Sequence, residues 1–186
     1  MRDLNISGHS LRGNLLVAHP SLLDPNFQRS VVLLSAHSES DGALGVIINR
    51  PLHKKLGDVR TEVSFGPLAE IPLYEGGPVA TDQIILVAWK WDVEEATFQL
   101  YFGVADETLN ELMEEEPNLI VRAFVGYSGW AGGQMETELE EKAWLVAPIR
   151  KDYLDAEEIQ AWRRILKHED PKLGFFADAP DDPSLN

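Results

Sequence analysis

The chain has no cysteine, which excludes disulfides, thiolate metal sites, iron–sulfur clusters and a cysteine nucleophile. It is also short of bases. Only 16 Lys and Arg stand against 31 Asp and Glu, giving a net charge of −15 and a pI near 4.6. Such an excess repels phosphate backbones and anionic lipid surfaces, so neither nucleic acid nor membrane is expected as a direct partner. Long apolar runs are missing too. The longest, Ser30–Ala36 and Ile84–Trp89, fall far short of the roughly 20 residues a spanning helix needs. Arg2 and Asp3 are followed by no apolar h-region, so no signal peptide is expected and the default compartment is the cytosol.

The familiar catalytic templates are absent as well. There is no GxxxxGK[ST], GxGxxG or HExxH, so the phosphate cradles and the helical zinc pair are missing. His9, His19, His37, His53 and His168 are scattered, with no pair at i,i+4. His37-Ser38-Glu39 imitates the H-x-E of zinc deaminases, whose chemistry also needs thiolate ligands. No metal and no cofactor are therefore expected. Gly126-Tyr127-Ser128-Gly129-Trp130 approximates a nucleophile elbow, but Trp130 stands where the strained turn demands glycine. Ser128 reads as a small residue in a tight loop.

What is present is ordinary globular material: 186 residues, 44% hydrophobic and 25% charged. Residues 1–176 are read as one domain. The acidic, Pro-rich residues 177–186 are read as a disordered tail, since they cannot bury enough surface to offset ordering entropy.

Apolar, often β-branched runs predict strands at Asn14–Ala18, Ser30–Ala36, Ala43–Asn49, Gln83–Trp89, Thr97–Phe102, Leu119–Val125 and Ala143–Ala147. The second and third form a hairpin through Asp41-Gly42, the fourth and fifth another, with a turn around Trp91–Glu95. Adjacent strands without intervening helices argue for antiparallel pairing and an α+β class. Helical period appears in three places. Asp106 caps a helix that puts Leu109, Leu112 and Met113 on one face and ends at Pro117. A short helix follows Gly133. Asp155-x-x-Glu158 is a capping box, with Leu154 and Ile159 as a staple and Ile159, Trp162, Ile165 and Leu166 facing inward.

The acidity is concentrated. Residues 91–142 hold 13 acids and 2 bases. That is either a solvated face or a docking surface for a basic protein partner. Three glycine-rich loops stand out: Asp41–Gly45, Tyr74–Val79 with Gly76 and Gly77, and Gly126–Gly133, which leads into Gln134 and Glu136. Their backbone N–H groups form either ordinary turns or an anion nest. Polar groups mark the hairpin's ends. His37 should lie beside Ala43, and Arg29 near Arg50, where Asn49-Arg50-Pro51 ends the third run. The two arginines hold either a small anion or structural partners such as Asp24. Arg29, His37, Asn49, Arg50, Gly76, Gly77, Gln134 and Glu136 are thus the candidate ligand or partner site; no catalytic residue is assigned.

These blocks, in this order, resemble the bacterial AlgH/YqgE family: Phe27-Gln28-Arg29-Ser30-Val31-Val32, His37, Gly42-Ala43-x-Gly45-x-Ile47-x-Asn49-Arg50-Pro51, Glu75-Gly76-Gly77-Pro78-Val79, Gly126-Tyr127-Ser128-Gly129-Trp130-x-x-Gly133-Gln134-Met135-Glu136, and Trp144. The likeness runs from about Leu11 to Trp144 and on to Phe176. Ser128 departs from an expected alanine, a small-for-small change. The resemblance implies a bent, bifurcated, mainly antiparallel sheet curled into a pseudo-barrel with flanking helices. It brings no catalytic residues. Some members carry a transcriptional-regulator label, although this chain has no basic recognition helix. Two readings follow. One is a non-enzymatic interaction or regulatory protein. The other is a ligand binder or enzyme whose strand-end residues converge in one pocket.

Overall fold

The computed structural model describes residues 10–92, 97–154 and 158–177. Nine strands make one sheet: β1 (Asn14–Ala18), β2 (Val31–Ser38), β3 (Gly42–Ile47), β4 (Pro51–Lys55), β5 (Pro72–Glu75), β6 (Val79–Asp92), β7 (Thr97–Phe102), β8 (Ile120–Trp130) and β9 (Trp144–Pro148). The main path is β4-β5-β8-β3-β2-β1-β9, with β6 and then β7 added on β8. All pairs are antiparallel except β5 with β8.

The sheet bifurcates at β8. Ala123–Val125 lie between β5 and β6, whereas Ser128–Trp130 pair with β3. The sheet does not close, so β4, β7 and β9 are left as edges. Gly76 sits at the fork. Its N–H donates to the Val125 carbonyl, and its own carbonyl accepts from Ile47 N–H and from Ser128 Oγ. A Cβ on Gly76 would fall 2.2 Å from the Gly126 carbonyl oxygen, and one on Gly77 2.4 Å from the Tyr127 backbone. Close backbone approach, rather than an anion nest, accounts for both glycines.

Five helices flank the sheet: α1 (Asp106–Glu115), α2 (Gln134–Glu140), α3 (Lys151–Leu154), α4 (Glu158–Glu169) and α5 (Pro171–Ala177). The larger core joins β1, β2 and β3 to Trp162, Ile165 and Leu166 of α4. A smaller one gathers Leu56, Leu68, Leu73, Leu86 and Ala123 under Leu109 of α1.

Several sequence expectations are corrected here. Gly126–Trp130 is not a loop but the second half of β8; only 131–133 turn. Asp106 is the first helical residue and Ala105 the cap, because the Asp106 carboxylate is taken by Arg60 at 2.8 Å. Trp91 and Asp92 extend β6 rather than turn. Leu154 ends α3, and Ala177 ends α5, 1% exposed. Residues 93–95 of the expected turn, Asp155 of the capping box and 178–186 of the tail lie outside the described residues.

Candidate functional site

Asn49 follows β3 and is buried. Its Oδ1 accepts the Val31 N–H at 2.7 Å, and its Nδ2 donates to the carbonyls of Arg29 and Glu158, each at 3.0 Å. Arg29 and Glu158 are both left-handed, with φ of 57° and 53°, as is nearby His53 at 52°. These three line one open cleft of about 350 Å³ with Asn49, Arg50 and Glu75. Strained backbone often marks function. Here the amide that holds it joins β2, β3 and α4, which is a structural duty.

The arginines of the cleft are committed. Arg50 Nη1 donates to Glu75 Oε1 at 3.0 Å and to the Asn26 carbonyl at 2.9 Å, while Nη2 donates to the Gln28 carbonyl at 3.1 Å. Little of its fork is left for a ligand. The Arg29 guanidinium lies 5.7 Å from the Trp162 ring centroid. Of the partners considered for them, Asp24 instead accepts from the Asn26 N–H.

At the other end of β2, His37 pairs with Ala43 as the hairpin register requires. Its Nδ1 accepts the Leu11 N–H at 3.1 Å, and its Nε2 lies 2.9 Å from Glu136 Oε1 of α2. A backbone N–H can only donate, so the proton of the neutral ring is on Nε2 and donates to Glu136. Both ring nitrogens of His37 are used. Gln134 caps the preceding turn by accepting the Ala131 N–H, and donates to Glu138. Glu138 Oε2 in turn accepts the indole N–H groups of Trp130 and Trp144, at 2.9 and 2.7 Å.

The eight candidates therefore fall in three places: Arg29, Asn49 and Arg50 at one sheet end; His37, Gln134 and Glu136 at the other; Gly76 and Gly77 at the fork. The extended length of β2, roughly 25 Å for eight residues, separates the first two. Among the described residues no group of three His, Asp or Glu could hold a metal ion, and no helix is long and apolar enough to cross a membrane. Glu75, although it opens one of the family-like blocks, and Glu138 are not among the candidates read from the sequence. Arg122, buried inside the apolar run of β8, was detectable as a charge interrupting that run.

The acid-rich middle of the chain resolves into two parts. On α2, Glu136 and Glu138 are tied inward as above. On α1 the ends are tied down: Asp106 pairs with Arg60, and Glu116, just past the helix, with Lys90 at 2.6 Å. The hydrogen bonds that Arg60 donates to Asp106 and then to Glu62 hold its guanidinium above its ordinary pKa, and the one Lys90 donates to Glu116 does the same for Lys90. Between them Glu107, Glu111, Glu114 and Glu115 are exposed. Their spacing puts them on one outer face, opposite buried Leu109. None of the four has an ion pair among the described residues. Glu114 and Glu115 sit in the last turn, where the helix dipole disfavours anions.

Comparison with known proteins places the chain. It is 38% identical to a UPF0301 protein of Streptomyces coelicolor, over 95% of this chain and 96% of that one. It is 35% identical to a UPF0301 protein of Bacteroides thetaiotaomicron, over 94% and 91%. Its fold is similar to the crystal structure of a Corynebacterium diphtheriae protein, with TM-score 0.68 and 26% identity over 90% and 91% of the chains. It is similar also to the solution structure of the AlgH protein from Pseudomonas aeruginosa, with TM-score 0.65 and 26% identity over 95% and 97%. None of these names states an activity. A family model described as AlgH-like matches residues 15–173, and the chain belongs to that AlgH-like family.

Proposed function

We propose that the protein is a non-enzymatic interaction or regulatory protein of the cytosol, which docks a basic protein partner on the outer face of α1. The observation that carries this reading is the row Glu107, Glu111, Glu114 and Glu115, exposed and without an ion pair among the described residues. The row costs stability. Like charges at i,i+4 repel by a few tenths of a kcal/mol per pair, and the two glutamates in the last turn oppose the dipole by about 0.3–1 kcal/mol each. A partner's Lys and Arg side chains would relieve both penalties and be drawn in by long-range attraction. The occupied ring nitrogens of His37, the buried Ser128 hydroxyl bonded to Gly76, and the committed fork of Arg50 support the non-enzymatic part.

The test is affinity capture from cytosolic extract with wild type and with a variant carrying Glu107→Lys, Glu111→Lys, Glu114→Lys and Glu115→Lys. The expected result is a basic protein retained by wild type, released by salt, and lost by the variant while its unfolding curve stays intact. An identical set of captured proteins from both would contradict the proposal.

A further inference from the structure

The inward face of the sheet does not end where the core does. Trp89 of β6 pairs with Ile120 of β8, and Trp91 pairs with Phe98 of β7. Residues two apart on a strand share a face, so Trp89 and Trp91 project to the same side. Trp89 is 2% exposed, whereas Trp91 and Phe98 are half-buried and Ile120 is 37% exposed. The short helix α3 lines the same space as these side chains. Its Leu154 closes one wall, and Lys151, one turn earlier, stands at the rim with Asn118. Together they enclose a cavity of about 240 Å³.

Its walls are fixed. The Trp91 and Phe98 rings lie 5.9 Å apart at 50°. The buried Arg122 guanidinium donates to the carbonyls of Ile48 and Leu154 and lies 5.1 Å from the Trp89 ring centroid. It thus holds the floor and the Leu154 wall to one another. Three observations speak to chemistry. The walls are aromatic and aliphatic, which suits a flat apolar body. Lys151 lines the rim without an ion pair among the described residues, although the chain carries −15 overall. The Trp89 indole N–H is buried and has no acceptor among the described residues, a deficit that native interiors seldom tolerate. The volume lies below the roughly 300–1,000 Å³ of drug-sized sites, so the body is one or two rings.

We propose that this cavity binds a small aromatic carboxylate, its ring between Trp91, Phe98 and Ile120 and its carboxylate at Lys151. The site is separate from the acidic face of α1 and does not depend on it.

The probes are indole-3-acetate, its neutral amide indole-3-acetamide, and the cation tryptamine, titrated into the full chain. Readouts are calorimetry and the indole N–H resonances of the five tryptophans. The resonances are assigned with Trp89→Phe and Trp91→Phe. The expected result is saturable binding of indole-3-acetate with shifts at Trp89 and Trp91, about tenfold tighter than either analogue. Lys151→Gln should erase that preference and leave the amide's affinity unchanged. Ile120→Trp, at a half-open position, should fill the space and abolish binding of all three while the chain stays folded. Absence of saturable binding at millimolar probe, equal affinity for the three probes, or shifts confined to the other tryptophans would overturn the proposal.

Discussion

His37 and Glu136 meet at 2.9 Å across 99 residues of chain, joining the end of β2 to the first turn of α2. The Leu11 N–H occupies the other ring nitrogen. A histidine so held is a clamp between three segments.

The clamp should be worth a measurable amount. His37→Ala leaves the Leu11 N–H without an acceptor and Glu136 without its donor. Glu136 Oε2 already lacks a partner, so a cost of about 2–3 kcal/mol is expected in urea unfolding. Capture of a basic partner should not change. A loss below about 0.5 kcal/mol would mean that water replaces the clamp.

Asn49 should be costlier. Asn49→Ala strips the acceptor from Val31 N–H and the donors from two carbonyls belonging to left-handed residues. The three lost hydrogen bonds point to about 3 kcal/mol, read as a fall in melting temperature, with any relief of backbone strain offsetting part of it. Asn49→Asp keeps the acceptor but sets a buried carboxylate oxygen against the same two carbonyls, so it should recover none of the loss.

At the fork the constraint is steric. Gly76→Ala puts a Cβ into the Gly126 carbonyl, where backbone rather than a flexible side chain must yield. The expected loss is at least about 2 kcal/mol, with weakened protection from hydrogen exchange in β5 and β8. Unchanged exchange there would show that the branch point can relax.

Alkaline pH tests a different contact. The Tyr153 hydroxyl donates to Glu169 Oε1 at 2.6 Å. Burial, then the hydrogen bond donated to Glu169 and that carboxylate's charge, push its pKa above the ordinary tyrosine value. Because the folded pKa is the higher one, the contribution to stability is whole below about pH 10 and is lost as pH climbs from there toward the folded pKa. Tyr153→Phe should remove a late-titrating tyrosine from the ultraviolet absorbance and flatten that alkaline fall. A titration identical to wild type would contradict it.

The legible parts of this fold are those whose residues announce their environment. Val31–Leu34 and Val46–Ile48 are apolar and β-branched because both faces are buried, so the β2–β3 hairpin and the His37–Ala43 neighbourhood follow from local pattern. β4 does not follow. Pro51–Lys55 is exposed almost throughout and shows no alternation. β5 is four residues opened by proline, and its parallel pairing with β8 is long-range. Glycines that serve a fork look, in sequence, like glycines of loops, which is why Gly126–Trp130 reads as a turn. The candidate site shows the same division. The acid run of α1 is plain in the sequence. Which acids are spent on Arg60, Lys90, His37 and two indoles depends on partners brought from 6 to 99 residues away.

The most direct measurement is the affinity of the purified partner for wild type and for the variant with Glu107, Glu111, Glu114 and Glu115 each replaced by glutamine, at low and at physiological salt. The account predicts at least about tenfold weaker binding by the variant at low salt, a difference that shrinks as screening rises. Equal affinity of the two proteins at both salt concentrations would contradict docking on α1.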